Sequence, residues 1–294
     1  MLHNPVPIIF DFDGSVLPLR DNEVRLPFQN LQENIRFGCS LNTFNRFEKQ
    51  LPNLPDNACY FFGSGDYHHL SLIPLRKLDA KEEEFELIVC DNHPDNMRYP
   101  FGLHCGSWVY HASKLKSVKH VHVIGITSND ISLSHAWENY LSPFLSKKLT
   151  YWSIGTNAVW LKMLSRKLHN KCFDTADDLI NAFVKREFDS RSQTGKIYLS
   201  IDKDVFSKNV VHTNWDQGVF QKSHLWQLLE VCANRLIGMD VTGEVSIYKF
   251  KSLFKRALSG LDKPEIVDPI IDFGQLQKWQ KEQNDLNLEV LGRV

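Results

Sequence analysis

Residues 85–95 read FELIVCDNHPD, a largely apolar run that ends in two aspartates and a histidine. A continuous apolar run of this length predicts a strand that is covered on both faces, as in the parallel sheet of an α/β protein. Asp91, His93 and Asp95 follow at alternating positions and can project on one side of an extended segment. Active sites of open α/β sheets gather at the carboxyl ends of strands, so the stretch also predicts where chemistry takes place. Taken alone, it fits an ordinary polar loop equally well.

The rest of the chain alternates between apolar runs and amphipathic segments. The other strand candidates are Val6–Phe10, Ala58–Phe62, Val121–Ile126, Thr150–Ile154, Lys196–Ile201 and Leu236–Val241. The helix candidates are Leu41–Gln50 capped by Ser40, Ala176–Phe188 capped by Asp174 or Thr175, Gln221–Arg235 and Gly274–Asp285. This alternation predicts a three-layer α/β/α domain with a mostly parallel sheet of about eight strands. Residues 1–294 are expected to form this single domain, with Arg186–Lys196 as an exposed polar loop.

Composition excludes several classes of protein. The 294 residues are 43% hydrophobic and 23% charged, which is typical of a globular protein with a well-buried core. A net charge of −1 gives no broad field that would attract nucleic acid or an anionic membrane. Six scattered cysteines without a CxxC pair indicate reduced core residues. With no signal-peptide pattern and no membrane-length apolar run, a cytoplasmic protein is expected; whether it forms a homo-oligomer is left open.

Two other predicted strand ends carry metal-competent side chains. GSGDYHH at 63–69 offers two adjacent histidines after a glycine-containing turn, and SIDKD at 200–204 offers Asp202 and Asp204. Each motif alone fits an ordinary turn. With one histidine from the first motif, three strand ends of one sheet supply four carboxylates and two imidazoles. Such a set suits manganese, with iron or zinc as alternatives, and its size favours two metals with bridging carboxylates over one catalytic zinc.

The order of these motifs resembles the arginase/ureohydrolase superfamily, which carries Gly-Gly-Asp-His, Asp-Ala-His-x-Asp and Ser-x-Asp-x-Asp, each at a strand end. The resemblance spans residues 58–244. It implies an arginase-like fold and two manganese ions held by His69, Asp91, His93, Asp95, Asp202 and Asp204. His69 is preferred as the first ligand because its distance from Pro74 is common in relatives, and His68 is the alternative.

The resemblance also implies a reaction, the metal-assisted hydrolysis of a guanidinium group. Two metals lower the pKa of a bridging water, whose oxygen attacks the guanidinium carbon. Asp95 accepts the proton and passes it to the departing amine. His104, in LHCG, resembles the histidine that shuttles protons near the mouth of the site, with an ordinary loop histidine as the alternative. Glu244 resembles the glutamate that binds the guanidinium, although it stands one residue later than in the family, and Asp240 is expected to be structural.

Two loops depart from the enzymes that act on free arginine or agmatine. Residues 96–108 lack the polar loop that binds the amino acid's own amino and carboxylate groups, and TNWDQG at 213–218 replaces a glycine-rich turn. Both loops resemble those of the peptide arginases, which convert arginine residues of ribosomally made precursor peptides to ornithine and urea. Trp108 and Trp215 are then candidates to line a peptide groove, with core packing as the alternative.

Other functions remain open. IIFDFDGSV at 8–16 resembles the nucleophile motif of haloacid-dehalogenase-like phosphatases, with Asp11 as nucleophile, Asp13 as acid/base, Thr127 as the second motif and magnesium as cofactor. That hypothesis leaves DNHPD and GSGDYHH without a role. A free-arginine or agmatine-type ureohydrolase, a single-zinc amide hydrolase of the related deacetylase branch, and a metal-binding protein without catalysis are the further alternatives.

Overall fold

The computed structural model describes residues 2–165, 168, 170–189, 195–262 and 272–294. In this part of the chain the strands are β1 (Val6–Asp11), β2 (Val24–Pro27), β3 (Gly38–Cys39), β4 (Ala58–Phe61), β5 (Phe85–Cys90), β6 (Leu103–His104), β7 (Val118–Ile126), β8 (Leu149–Ile154), β9 (Lys171–Phe173), β10 (Lys196–Asp202) and β11 (Leu236–Thr242). Nine of them form one sheet in the order β2-β1-β4-β11-β10-β5-β7-β8-β9. All neighbours in it are parallel, whereas β3 and β6 form a separate antiparallel pair.

Helices flank the sheet and connect its strands. They are α1 (Gln32–Ile35), α2 (Leu41–Lys49), α3 (Leu72–Asp79), α4 (Trp108–Ser113), α5 (Ser142–Leu145), α6 (Trp160–Leu164), α7 (Ala176–Asp189), α8 (Lys222–Cys232), α9 (Leu253–Asp262) and α10 (Phe273–Leu291). Ser40 caps α2 as expected, because its Oγ accepts the Thr43 N–H at 3.1 Å. Thr175 does the same for Asp178 in α7. No described helix is both long and apolar enough to cross a membrane.

The apolar runs are explained by burial on both faces of the sheet. Along β5, Leu87 and Val89 pack into one core layer, whereas Ile88 and Cys90 pack into the other, and all four are fully buried. A parallel strand covered by helices on both sides needs apolar residues at every position, so its sequence does not alternate. The predicted three-layer α/β/α fold is therefore confirmed, with nine strands in place of about eight.

The differences from the sequence-based prediction lie at edges and ends. All seven predicted strands are present, but the short strands β2, β9, β3 and β6 were missed because they have two to four residues each. The predicted helix at Gly274–Asp285 continues to Leu291 in α10. Within the predicted loop Arg186–Lys196, α7 continues to Asp189 and β10 begins at Lys196, while residues 190–194 lie outside the described residues.

Candidate metal centre

The three predicted motifs meet at the carboxyl edge of the sheet. β5 and β10 are neighbours, and Cys90 stands opposite Ile201, so Asp91 and Asp202 leave the sheet side by side. The 3₁₀ helix Gly65–Ser71 follows β4, two strands away from β10, and crosses this edge. Sequence separations of more than one hundred residues thus become direct contacts.

Five side chains form two groups that share Asp91, and a sixth, Asp95, lies beside the first group. His68, Asp91 and Asp202 offer one ligand atom each within 4.8 Å of one another, and so do Asp91, His93 and Asp204. In the first group, His68 Nδ1 lies 3.2 Å from an oxygen of Asp91 and 3.4 Å from an oxygen of Asp202. In the second, His93 Nδ1 lies 2.9 Å from Asp204 Oδ2. Two adjacent groups joined by one carboxylate are the arrangement that two bridged cations require.

Asp95 joins the first group through Oδ2, which lies 2.9 Å from His68 Nδ1. The same oxygen accepts a hydrogen bond from Trp108 Nε1 at 2.6 Å, and the backbone of Asp95 has a φ of +46°. Trp108 is fully buried. Of the two possibilities for Trp108, core packing is therefore confirmed rather than a place on a groove wall, and its indole N–H fixes the direction of the Asp95 carboxylate.

His68, and not His69, reaches the carboxylates, which corrects the preferred first ligand. His68 Nε2 hydrogen-bonds Ser200 Oγ at 2.9 Å, which turns Nδ1 towards the centre. His69 is equally buried but points elsewhere, with its ring 6.4 Å from that of Phe44. Successive side chains of a 3₁₀ helix differ by about 120° in direction, so two adjacent histidines cannot face the same cluster.

In the described part of the chain the centre has little positive charge to balance it, because the lysine that acts on Asp202, Lys203, is itself paired with Glu244. Within the described residues, the ion pairs of its four aspartates are all with histidine. Burial, followed by the neighbouring Asp204 carboxylate, raises the pKa of Asp202 well above its usual range. Burial and Asp91 raise the pKa of Asp204 to about 6. Asp91 Oδ2 is buried without a hydrogen-bond donor. Crowded carboxylates with an unused oxygen fit a pair of divalent cations.

The two histidines of the centre also have shifted pKa values. Burial disfavours a charged His68, yet the Asp91 and Asp95 carboxylates beside its Nδ1 raise its pKa well above the ordinary value. Burial also disfavours the charged form of His93, but the Asp204 carboxylate more than offsets this effect, and the pKa of His93 is raised well above its usual range. In the absence of a metal the centre therefore holds protons on its imidazoles, and bound cations would replace those protons.

A set of hydrogen bonds below the centre orients its ligands. Ser200 Oγ, which contacts His68, donates to Asp240 Oδ1 at 2.6 Å. Tyr198 and Ser71 donate their hydroxyls to the same buried carboxylate at 2.8 and 3.0 Å. Asp240 thus has the structural environment expected of it, and it anchors His68 through Ser200.

Asp216 is the residue near the centre that the sequence analysis missed. Its Oδ1 lies 2.8 Å from His93 Nε2, on the side of the ring opposite Asp204. Asn92 Nδ2 donates to the other oxygen at 3.1 Å. The sequence signal for Asp216 is an acidic residue within TNWDQG, a loop that follows the third metal motif.

Glu244 is the clearest correction, because it does not reach the substrate side of the centre. It is buried in an ion pair with Lys203 Nζ at 2.5 Å and accepts a hydrogen bond from Asn287 Nδ2 of α10 at 2.9 Å. The turn before it is held by Gly243, whose φ is +95°, and a Cβ there would lie 2.5 Å from Asp202 Oδ1. The chain passes so close to a ligand that Glu244 is directed below the sheet edge towards Lys203.

A cavity of about 750 Å³ opens in front of the centre, and all six clustered side chains lie on its wall. His104 also lines it, with its ring stacked 4.9 Å from that of Tyr99. Burial, with the nearby Lys255, lowers the pKa of His104 to about 3, so this imidazole is neutral near pH 7. Its Nδ1 accepts the Gly106 N–H at 3.0 Å. A proton-shuttling role for His104 stays a prediction.

Aromatic side chains form much of the cavity's outer wall. Trp215, one of the two tryptophans that were candidates to line a groove, lines the cavity together with Tyr99. Phe101 and Trp137 lie at the rim with 52% and 69% of their surface exposed. Phe254 of α9 extends this apolar rim, because its ring lies 5.2 Å from that of Phe101.

The N-terminal phosphatase motif does not assemble. Asp13 pairs with the buried Arg36 at 3.3 Å and accepts the Ser246 hydroxyl at 2.6 Å. Thr127 donates its hydroxyl to Asn92. Four strands separate β1 from β7, which places the Asp11 and Thr127 ends roughly 24 Å apart at the usual strand spacing. Residues that must share one phosphate cannot do so at this separation.

Comparison with known proteins supports the fold. No protein-family profile matches the chain. An uncharacterized protein of Thermotoga maritima is 26% identical over 245 residues, which cover 82% of this chain and 81% of that protein. Among solved structures, formimidoylglutamase of Bacillus subtilis superposes with a TM-score of 0.55 at 13% identity, over 98% of this chain and 86% of that one.

Two further solved structures give the same result. Agmatine ureohydrolase of Thermoplasma volcanium has a TM-score of 0.52 at 12% identity, covering 99% of this chain and 90% of that one. Proclavaminate amidino hydrolase of Streptomyces clavuligerus has a TM-score of 0.51 at 16% identity, covering 98% and 91%. The chain therefore has the arginase-like α/β fold, with a candidate metal centre at the carboxyl edge of its sheet.

Proposed function

We propose that this protein is a manganese-dependent ureohydrolase that acts on arginine residues of a ribosomally made precursor peptide, giving ornithine and urea. The observation that carries the proposal is the convergence of His68, Asp91, His93, Asp95, Asp202 and Asp204 on one cavity wall, in two groups that share Asp91. The solved relatives with the same fold include enzymes whose names describe amidine-containing substrates. Fold alone does not assign a reaction, so the proposal rests on the centre itself.

The donor set fits two manganese ions, because carboxylate oxygens and imidazoles together suit this metal and the wall offers a shared carboxylate. When bound, the two ions would supply an activated water and polarise the reacting centre. His68, Asp91, Asp95 and Asp202 would hold one of them, and His93 and Asp204 would hold the other together with the shared carboxylates.

The chain's own groups would carry the protons. Attack by water on the guanidinium carbon forms a C–O bond, and the bond from that carbon to the arginine Nε breaks. Asp95 would accept a proton from the water and deliver it to the departing amine, and the second proton of the water would follow, so ornithine leaves protonated and urea leaves neutral. Trp108 holds the Asp95 carboxylate in direction through its N–H, at 2.6 Å, which limits the motion between acceptor and donor positions.

A peptide substrate is supported by the entrance rather than by the centre. A cavity of about 750 Å³ with exposed Phe101 and Trp137 at its rim is large and apolar for one free amino acid with a charged α-amino and a charged α-carboxylate group. A residue inside a peptide lacks the free α-amino and α-carboxylate groups, and its neighbours can cover such a rim. A cytoplasmic location, and the absence of nucleic-acid and membrane partners, belong to the same proposal.

A direct assay tests the proposal. The protein is incubated with manganese and either a blocked arginine-containing peptide, free arginine or agmatine, and urea and product mass are followed. Urea together with an ornithine-containing peptide is expected, and Asp95→Asn should abolish both. Preferential turnover of free arginine or agmatine would contradict the peptide part of the proposal. Hydrolysis of a phosphate ester that depends on Asp11 but survives loss of Asp91 would contradict all of it.

A further inference from the structure

The carboxylates of the cavity have unequal partners, and this difference identifies a binding site. Four of them, Asp91, Asp95, Asp202 and Asp204, belong to the metal centre. Glu244 is buried against Lys203, away from the cavity wall. Any cationic substrate group must therefore find its counter-charge elsewhere on the wall, because an unpaired cation would lose its hydration without compensation.

Three further carboxylates line the cavity, Asp130, Glu138 and Asp216. Glu138 lies at the outer rim, where its carboxylate is 3.0 Å from His135 Nδ1. At Asp130, the side chain of Asn139 donates a hydrogen bond to the backbone carbonyl. Asp216 alone of the three contacts a residue of the centre, with its Oδ1 2.8 Å from His93 Nε2. Its negative charge is therefore separated from the metal centre only by the imidazole ring of His93.

Asp216 also has capacity for a second cationic partner. A carboxylate accepts about four hydrogen bonds, and Asp216 accepts one at each oxygen from the side chains of His93 and Asn92. Its side chain is 52% exposed, and the described residues place no lysine or arginine against it. Because Asp216 lines the cavity, its remaining acceptor capacity is open to a ligand there.

Trp215 adds an aromatic face beside this carboxylate. Its Nε1 donates to Asp66 Oδ1 at 3.2 Å, which fixes the plane of the ring, and the ring lies 6.3 Å from that of His93. A Cβ on Gly65 would lie 3.1 Å from Trp215 and 3.2 Å from Asp202 Oδ2, so only the bare backbone of Gly65 fits between the indole and the centre. A planar guanidinium is attracted both by an indole face and by a carboxylate.

We propose that Asp216 and Trp215 form the subsite that binds the substrate's guanidinium group, the role for which Glu244 had been the candidate. This inference rests on the proposed function, in that the substrate carries a guanidinium. Asp216 then has two contacts at once: it accepts the His93 N–H, which orients that ring, and it pairs with the cation that lies over Trp215.

Binding of two blocked probes tests the subsite without any turnover. N-acetyl-arginine amide carries the cation, and N-acetyl-citrulline amide is its neutral analogue of nearly the same shape. Dissociation constants are measured by calorimetry on metal-free protein, and on manganese-loaded protein that carries Asp95→Asn so that the arginine probe is not hydrolysed. Each background is tested with native Asp216, with Asp216→Asn, with Trp215→Leu, and with the cavity controls Asp130→Asn and Glu138→Gln. Metal content is measured for each variant.

The wild type should bind the arginine probe at least about tenfold more tightly than the citrulline probe, as expected for a charge-assisted pair. Asp216→Asn, which can still accept the His93 N–H, should lose most of this preference while keeping its metals. Trp215→Leu should weaken binding of both probes. The controls should keep the preference within about threefold.

The subsite is overturned by a wild type that does not distinguish the probes, or by a preference that survives in Asp216→Asn, whether or not it disappears in Asp130→Asn or Glu138→Gln. Loss of metal with an unchanged preference would reduce Asp216 to a residue that only positions His93, and would equally overturn the subsite. Failure of the proposed function is a separate result, because a wild type that prefers the arginine probe but releases no urea keeps the subsite and loses the reaction.

Discussion

Two strand ends of this molecule carry Asp-x-Asp and have opposite electrostatic environments. At the end of β1, Asp11 and Asp13 accept the Gly14 N–H and the Ser15 hydroxyl and face Arg25 and Arg36. At the end of β10, Asp202 and Asp204 face other aspartates and histidines. The first pair is neutralised by the protein's own cations, whereas the second leaves a buried excess of negative charge. The spacing is the same in both, so charge compensation by neighbours separates a structural motif from a metal site.

The largest effect is expected from breaking the Asp-x-Asp motif at the end of β10. Asp202→Asn removes a carboxylate that contributes to the first group and faces Asp204, so metal binding should fail and urea formation should fall by about 1,000-fold. Asp13→Asn is the matched control at the first motif and should keep its metal. Metal content and urea release of the two purified variants are compared. Equal losses in both would remove the distinction between the motifs.

The next largest effect distinguishes two neighbouring histidines. His68→Asn should lose one metal and nearly all activity, because His68 Nδ1 lies within 3.4 Å of three carboxylates. His69→Asn should keep both metals, since its ring packs near Phe44 instead. Metal content by mass spectrometry gives the answer, and metal loss in His69→Asn with retention in His68→Asn would show that the assignment is reversed.

At the Asp-x-Asp motif of β1, a substitution should lower the stability of the fold and leave metal binding unchanged. Arg36→Met leaves Asp13 and Asp66 buried without their cation, a change that costs about 3–5 kcal/mol of unfolding free energy. Arg25→Met, at a longer and partly exposed pair, should cost less than about 1 kcal/mol. Urea denaturation of both variants measures the difference. A stable Arg36→Met protein with lost metal would place Arg36 in the centre and contradict the comparison.

A smaller effect, in acid stability, comes from a buried histidine remote from both motifs. His122 accepts the Trp152 N–H at 3.1 Å, and burial lowers its pKa to about 3 in spite of Glu86. The unfolded value is near 6.5. Between these two values the unfolded chain binds the extra proton, so stability falls as the pH falls from about 6.5 towards 3. His122→Gln should therefore lose stability less steeply between pH 7 and 5 than the wild type. Identical slopes would show that His122 does not contribute.

The sequence allowed much of the centre to be predicted for a local reason. Apolar runs are directly followed by five of the ligands, Asp91, His93, Asp95, Asp202 and Asp204, and the ends of parallel strands meet at one edge of the sheet. The choice of His68 over His69 could not be predicted, because it depends on the rotation of one 3₁₀ turn. The pairing of Glu244 with Lys203 could not be predicted either, since it depends on how α10 packs below the sheet. Edge strands such as β9 were missed because three residues carry too little pattern.

The central claim is that the excess of negative charge at the carboxyl edge of the sheet holds two metal ions. The most direct measurement is a calorimetric titration of metal-free protein with Mn²⁺, with the bound metal counted independently by mass spectrometry. Two ions per chain in the wild type, and fewer than two in His68→Asn, are the expected result. A wild type that binds one ion or none, with its fold intact by circular dichroism, would contradict the claim.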